Sequence, residues 1–177
     1  MATIEEFLRS PSRFGIIARP DMDPLSEAHA LDEASLIDIR FDAIRSTAWC
    51  IFDTRGALEI TSGNTALIVA TGVNYLRWDA RTPIGKRTAW TIMEWNATIA
   101  SNRIKMWGGL EPWCDFEIAA DRAEFYVGDV PSADEPAPEM AYANEASIDA
   151  GFASFSSQFR PLQASMFNMD ELVPDIL

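Results

Sequence analysis

From Ser35 onward the apolar residues recur with a period of two. In Ile37-Asp38-Ile39-Arg40-Phe41-Asp42-Ala43 they alternate with charged ones, the mark of a strand with one buried and one wet face. Thr47 to Asp53 (TAWCIFD) is almost wholly apolar and predicts a second strand, buried on both faces. Thr65 to Ala70 (TALIVA) predicts a third, interrupted at Thr71-Gly72 and resumed from Val73 to Trp78. Thr88 to Ala100 is rich in β-branched and aromatic residues and predicts a long strand. On it Trp90 and Glu94 fall on one parity, Met93 and Trp95 on the other. Ile104 to Leu110, Cys114 to Ala119 and Ala123 to Val127 continue the series. Gly108-Gly109, after Trp107, reads as a turn, as do Ala120 to Arg122 and the Pro/Gly-bearing stretch from Arg81 to Lys86.

Helical spacing is confined to the flanks. Thr3 followed by Glu6 is a capping-box pattern in front of Ile4, Phe7 and Leu8, with Pro11 as the stop. Leu25 to Ala34 is made of helix formers and predicts a second short helix. Asn144 is an N-cap ahead of a third, ended by Gly151. The tail from Gln163 keeps enough apolar residues to dock on the body. Consecutive strands without crossover helices predict an α+β, β-rich domain. Its antiparallel meander sheet is curved into a half-barrel or sandwich, with short helices near both termini. The chain reads as one domain: a helical segment 1–34, a β core 35–127, and an acidic loop, helix and tail over 128–177.

Charge changes this picture by being uneven. Of the net −13, residues 1–34 carry seven acids and three bases (−4), residues 35–110 six and nine (+3), and residues 111–177 fourteen and two (−12). A surface of that sign is repelled by nucleic-acid phosphates and anionic lipid, and attracts a basic protein. The loop Gly128 to Met140 concentrates Asp129, Asp134, Glu135 and Glu139 among three prolines, and predicts an extended, partly mobile acidic interaction surface. No stretch reaches the roughly 18–20 apolar residues of a membrane span. The first ten residues lack a basic region followed by an apolar run, so the expected location is the cytoplasm.

Candidate chemistry is sparse. His29, the single histidine, sits between Glu27 and Asp32 and reads as a solvated side chain. Cys50 and Cys114 have no CxxC partner and read as buried thiols, a mutual disulfide being the lesser alternative. No phosphate-cradle or nucleophile-elbow pattern occurs, and no metal or cofactor is expected. Asp53 beside Arg55 reads as a structural ion pair. Six Trp and ten Phe exceed what a core of this size needs. Tyr75, Trp78, Trp90, Trp95 and Trp107 are therefore the candidate lining of a pocket or an interface.

The stretch Phe125-Tyr126-Val127-Gly128-Asp129-Val130-Pro131, followed by an acidic proline loop and a short helix, resembles a group of small uncharacterised actinobacterial proteins with an F-Y-x-G-D-V-P segment. The resemblance implies a single co-linear domain and no activity. The functional expectation is a non-enzymatic protein-binding module, immunity-like in its most concrete form and directed at a basic partner. A small-molecule-binding half-barrel and a structural or assembly component, self-associating through a strand edge, are the alternatives.

Overall fold

The two-residue alternation becomes a sheet. The computed structural model describes residues 1–15, 18–81 and 88–168. In them ten strands form: β1 (Ala2–Thr3), β2 (Ser35–Asp42), β3 (Thr47–Asp53), β4 (Thr65–Thr71), β5 (Tyr75–Ala80), β6 (Trp90–Ala100), β7 (Arg103–Glu111), β8 (Cys114–Ala120), β9 (Arg122–Asp129) and β10 (Gln158–Asn168). Helix α1 (Ile4–Arg9) begins with the capping box read from Thr3 and Glu6, and α2 (Glu145–Gly151) is capped by the Asn144 side chain.

The strands make one open antiparallel sheet in the order β1-β10-β9-β4-β3-β2-β6-β7-β8-β5. Two three-stranded meanders, β2-β3-β4 and β6-β7-β8, meet where β2 and β6 share only the pairs Ser35–Thr91 and Leu36–Trp90. The sheet folds over at that narrow junction, so that β4 packs against β8 and β7 against β9. The enclosed face holds the main core, with Phe52, Ile68, Ile92, Trp95, Phe116 and Phe125 at its centre. A second core forms on the outer face, where Ile4 and Phe7 of α1, with Ala153 and Phe155, cover Ile51, Leu67 and Tyr126. This second layer explains why TAWCIFD and TALIVA are apolar on both parities.

The chain departs from its sequence pattern in four places. Leu25 to Ala34 forms successive turns and no helix, with His29 and Glu33 at φ of 66° and 65°. Tertiary hydrogen bonds override helix propensity here. The His29 and Glu33 amides donate to Trp95 O and Ile92 O, Ile92 N donates to Ala34 O, and Trp95 N donates to Asp32 Oδ1. The segment thus finishes the edge of β6 that β2 leaves unpaired. Secondly, β6 carries an irregularity between Ile92 and Glu94, which shifts the parity and brings Trp95 to the buried side with Ile92. Thirdly, Gly108 and Gly109 lie inside β7 and make no turn. Gly108 packs beneath the Trp95 ring, which a Cβ there would touch at an ordinary contact distance of 3.4 Å. Fourthly, the tail contributes β10, an eleven-residue strand paired along β9. Residues 82–87, with most of the turn expected over Arg81 to Lys86, and residues 169–177 lie outside the described residues.

Candidate functional site

The acidic segment after β9 is fastened to the body at several points. Asp53, at the end of β3, is buried, and Arg55 grips it through two hydrogen bonds, Nε to Oδ1 at 2.9 Å and Nη2 to Oδ2 at 2.8 Å. The same guanidinium donates to Glu135 O at 2.6 Å and Gly151 O at 2.8 Å. Asn64 adds a second fastening. Its Oδ1 accepts from Val130 N at 2.9 Å, and its Nδ2 donates to Val130 O at 3.0 Å and Asp134 Oδ1 at 3.2 Å. Gly128 completes the junction: a Cβ there would run into the Arg160 carbonyl and the Phe159 ring. The segment is irregular and largely exposed, as expected, and is tied to the body at Val130, Asp134, Glu135 and Gly151. Arg55 and Asn64, which do the holding, were not among the candidate site residues.

Of the four acids singled out there, Asp129 is half-buried and ion-paired with Arg160. Asp134, Glu135 and Glu139 are exposed, and Glu145 joins them from the first turn of α2. From Ala123 to Phe159 the chain has seven carboxylates and not one Lys or Arg. Tyr142 stands 86% exposed in the same segment, an uncovered aromatic ring among these charges.

The five aromatic candidates are not brought to one site. Trp95 is a core residue, its Nε1 donating to Pro24 O at 2.8 Å and its ring edge-on to Phe52. Trp107 is half-buried on β7. Tyr75 and Trp78 lie on β5, an edge strand of the sheet among the described residues, at 44% and 39% exposure. Trp78 stacks edge-on against Trp90, with ring centres 5.0 Å apart, and against Phe116.

Two open depressions flank the segment that follows the acidic loop. A cleft of about 550 Å³ has an apolar wall of Trp90, Met140, Ile148 and Phe152, with Asp38 and Asp149 in its lining. A groove of about 560 Å³ lies beside α1, over Trp49 and Phe155, where Arg40 is seated on the Phe155 ring at 3.8 Å. Arg9 and Arg45 at that groove are paired with Glu5 and Asp42.

Groups with classical reactivity are placed elsewhere. The His29 ring is largely exposed, with Nδ1 2.8 Å from Asp32 Oδ2. Both cysteines are free and buried. Burial pushes the Cys50 thiol far above its ordinary value and the Cys114 thiol up to about 11, so neither is a thiolate near neutrality. Among the described residues no group of three or more His, Cys, Asp or Glu is placed to hold a metal ion. No described helix is long and apolar enough to cross a membrane.

No protein-family model matches the chain, and no curated protein matches it. A solved structure of an uncharacterized protein from Neisseria gonorrhoeae is similar over 56% of this chain and 94% of its own, at 14% identity and a TM-score of 0.43. A likeness that slight says nothing about what this chain does.

Proposed function

We propose that the chain is a non-enzymatic protein-binding module that receives a basic partner on the acidic segment between Asp129 and Gly151. The observation that supports this most is the Arg55 clamp on a segment with six carboxylates and no Lys or Arg of its own, in which Asp129 alone is answered by Arg160. A charged surface fixed before binding loses little conformational entropy on association, and its field speeds the encounter with a cationic protein. Tyr142 offers an aromatic anchor amid that charge, and tyrosine is enriched at binding hot spots. The neighbouring cleft suits one long cationic side chain: an aliphatic stem along Trp90, Ile148 and Phe152, a charged head toward Asp38 and Asp149. Neutralisation of a basic effector, as an immunity protein performs it, is the most concrete form of this reading.

The test is co-purification from the native organism at low salt, with the Asp134→Lys/Glu135→Lys/Glu139→Lys variant beside the unaltered chain. A basic polypeptide retained by the unaltered chain, released by salt and missed by the variant is the expected result. Equal retention by both chains, or none by either, removes the proposal. A second reading, a small apolar ligand in the cleft, is favoured by its volume of about 550 Å³, within the usual span of ligand sites. It predicts saturable quenching of Trp fluorescence by an apolar ligand that Phe152→Asp abolishes.

A further inference from the structure

We infer that β5 is a self-association edge, along which two copies of the chain pair antiparallel about a two-fold axis at Trp78. Among the described residues β5 is hydrogen-bonded to β8 alone and ends the sheet on that side. Arg81 N donates to Trp113 O at 2.9 Å. By strand alternation, the backbone groups of Leu76, Trp78 and Ala80 then point away from β8, toward the open edge. A Trp78 placed opposite its own copy therefore meets a matching backbone donor and acceptor.

The side chains are complementary in that register. Arg77 comes opposite the partner's Asp79 and Asp79 opposite the partner's Arg77, two cross-strand ion pairs related by the axis. Leu76 comes opposite the partner's Ala80, and Tyr75 opposite the partner's Arg81. The two faces sort themselves as well. Leu76, Trp78 and Ala80 pair with the buried Ile118, Phe116 and Cys114, whereas Arg77 and Asp79 pair with Glu117 and Asp115. Apolar residues would thus meet apolar residues on the core side, and charges meet charges on the wet side.

Charged side chains usually guard a sheet edge against pairing. Here Arg77 and Asp79 already bind each other at 2.6 Å within one chain, and the same attraction is available in exchanged form between two. The charges therefore select a register and do not forbid contact. The edge also belongs to the stretch 35–110 with its net +3, away from the −12 C-terminal third. Tyr75, Leu76 and Trp78, at 44%, 36% and 39% exposure, supply the apolar surface to be covered. Six residues of strand make a small interface, so the dimer is a weak, reversible one.

Sedimentation velocity from low to high micromolar protein tests this, with Arg77→Glu and Asp79→Arg as variants. The unaltered chain is expected to show a concentration-dependent monomer–dimer equilibrium. Each single variant sets two like-charge pairs across the axis and is expected to self-associate at least about ten-fold more weakly. Mixing the two variants restores both attractive pairs and is expected to give a one-to-one heterodimer of near-original affinity. A chain that stays monomeric throughout, variants that dimerise like the parent, or a mixture that stays monomeric would each overturn the inference. Amide exchange of the unaltered chain supplies a readout free of any variant. Protection of Leu76, Trp78 and Ala80 is expected to rise with protein concentration, and an unchanged pattern counts against the edge.

Discussion

Replacing Arg55 by alanine is the sharpest perturbation of this structure. The Arg55 and Asp53 side chains keep only 14% and 8% of their exposure, so water screens the pair poorly. Among the described residues, truncating the guanidinium leaves the Asp53 carboxylate buried with only the amide of residue 55 donating to it. Losing one partner of a buried pair costs about 3–5 kcal/mol, because the remaining charge stays desolvated. The change also releases the carbonyls of Glu135 and Gly151, and some cost is recovered as these reach water. Urea unfolding followed by tryptophan fluorescence should therefore show a lower midpoint at an unchanged m-value, with a loss near 3 kcal/mol. Asp53→Asn/Arg55→Met removes both charges, and is expected to cost less than Arg55→Ala alone despite changing two residues. Trypsin has no site between Ala123 and Phe159, so chymotrypsin cleavage at Tyr142 reports the freed segment, and faster cleavage is expected. An Arg55→Ala loss below about 1 kcal/mol, or a double variant as costly as the sum of the singles, would refute the clamp.

Other consequences are as open to measurement. Both thiols should resist a thiol reagent at pH 8 in the folded chain and react together in urea; a fast-reacting cysteine would contradict their burial and raised values. Gly128→Ala should cost about 2 kcal/mol or more, since a Cβ there meets backbone that cannot swing aside; an unchanged melting temperature would deny the close contact with Arg160. Hydrogen bonds from Arg45 hold the Asp42 carboxyl below its usual range, and one from Arg77 does the same for Asp79. With folded values below the unfolded ones, their stabilisation is complete above the unfolded value, about pH 4, and is lost as pH falls through the folded values. The melting temperature should fall below about pH 4, and Asp79→Asn should flatten that fall; an identical profile for the variant refutes the assignment.

Much of this fold is written in local pattern. The Thr3–Glu6 capping box, the Asn144 cap and the alternation in β8 each act over a few residues, where spacing alone decides the outcome. In β2, by contrast, a register shift between Leu36 and Asp38 sends Ile37 and Ile39 to different cores and leaves Phe41 exposed. The Asp53–Arg55 pair was legible for the same reason: two opposite charges flank the end of an apolar strand. What stayed hidden depends on distant partners. Leu25 to Ala34 has helical propensity but gives its amides to β6, a choice no local rule contains. In β10, Pro161 and a register shift before Gln163 interrupt the alternation, so the strand is recognisable only beside β9. Trp90 and Trp95 needed the irregularity at Ile92–Glu94 to be placed. At the candidate site the acids were visible as composition, whereas their fastening by Arg55 and Asn64 joins residues more than sixty positions apart.

The pairing of Ala2 with Phe159, and of β4 with β9 across the intervening strands, also bears on how the chain reaches this state. Contacts so far apart in sequence close large loops before they stabilise anything, and chains dominated by them fold in milliseconds to seconds. A ribosome releasing this polypeptide exposes β2, β3 and β4 well before β9 arrives to cover the open side of β4. During that interval TALIVA is an unpaired apolar edge, the kind of surface that holding chaperones bind. The yield of folded protein should then depend on how quickly β9 and β10 follow, and slowing translation just after Thr71 should favour aggregation over assembly.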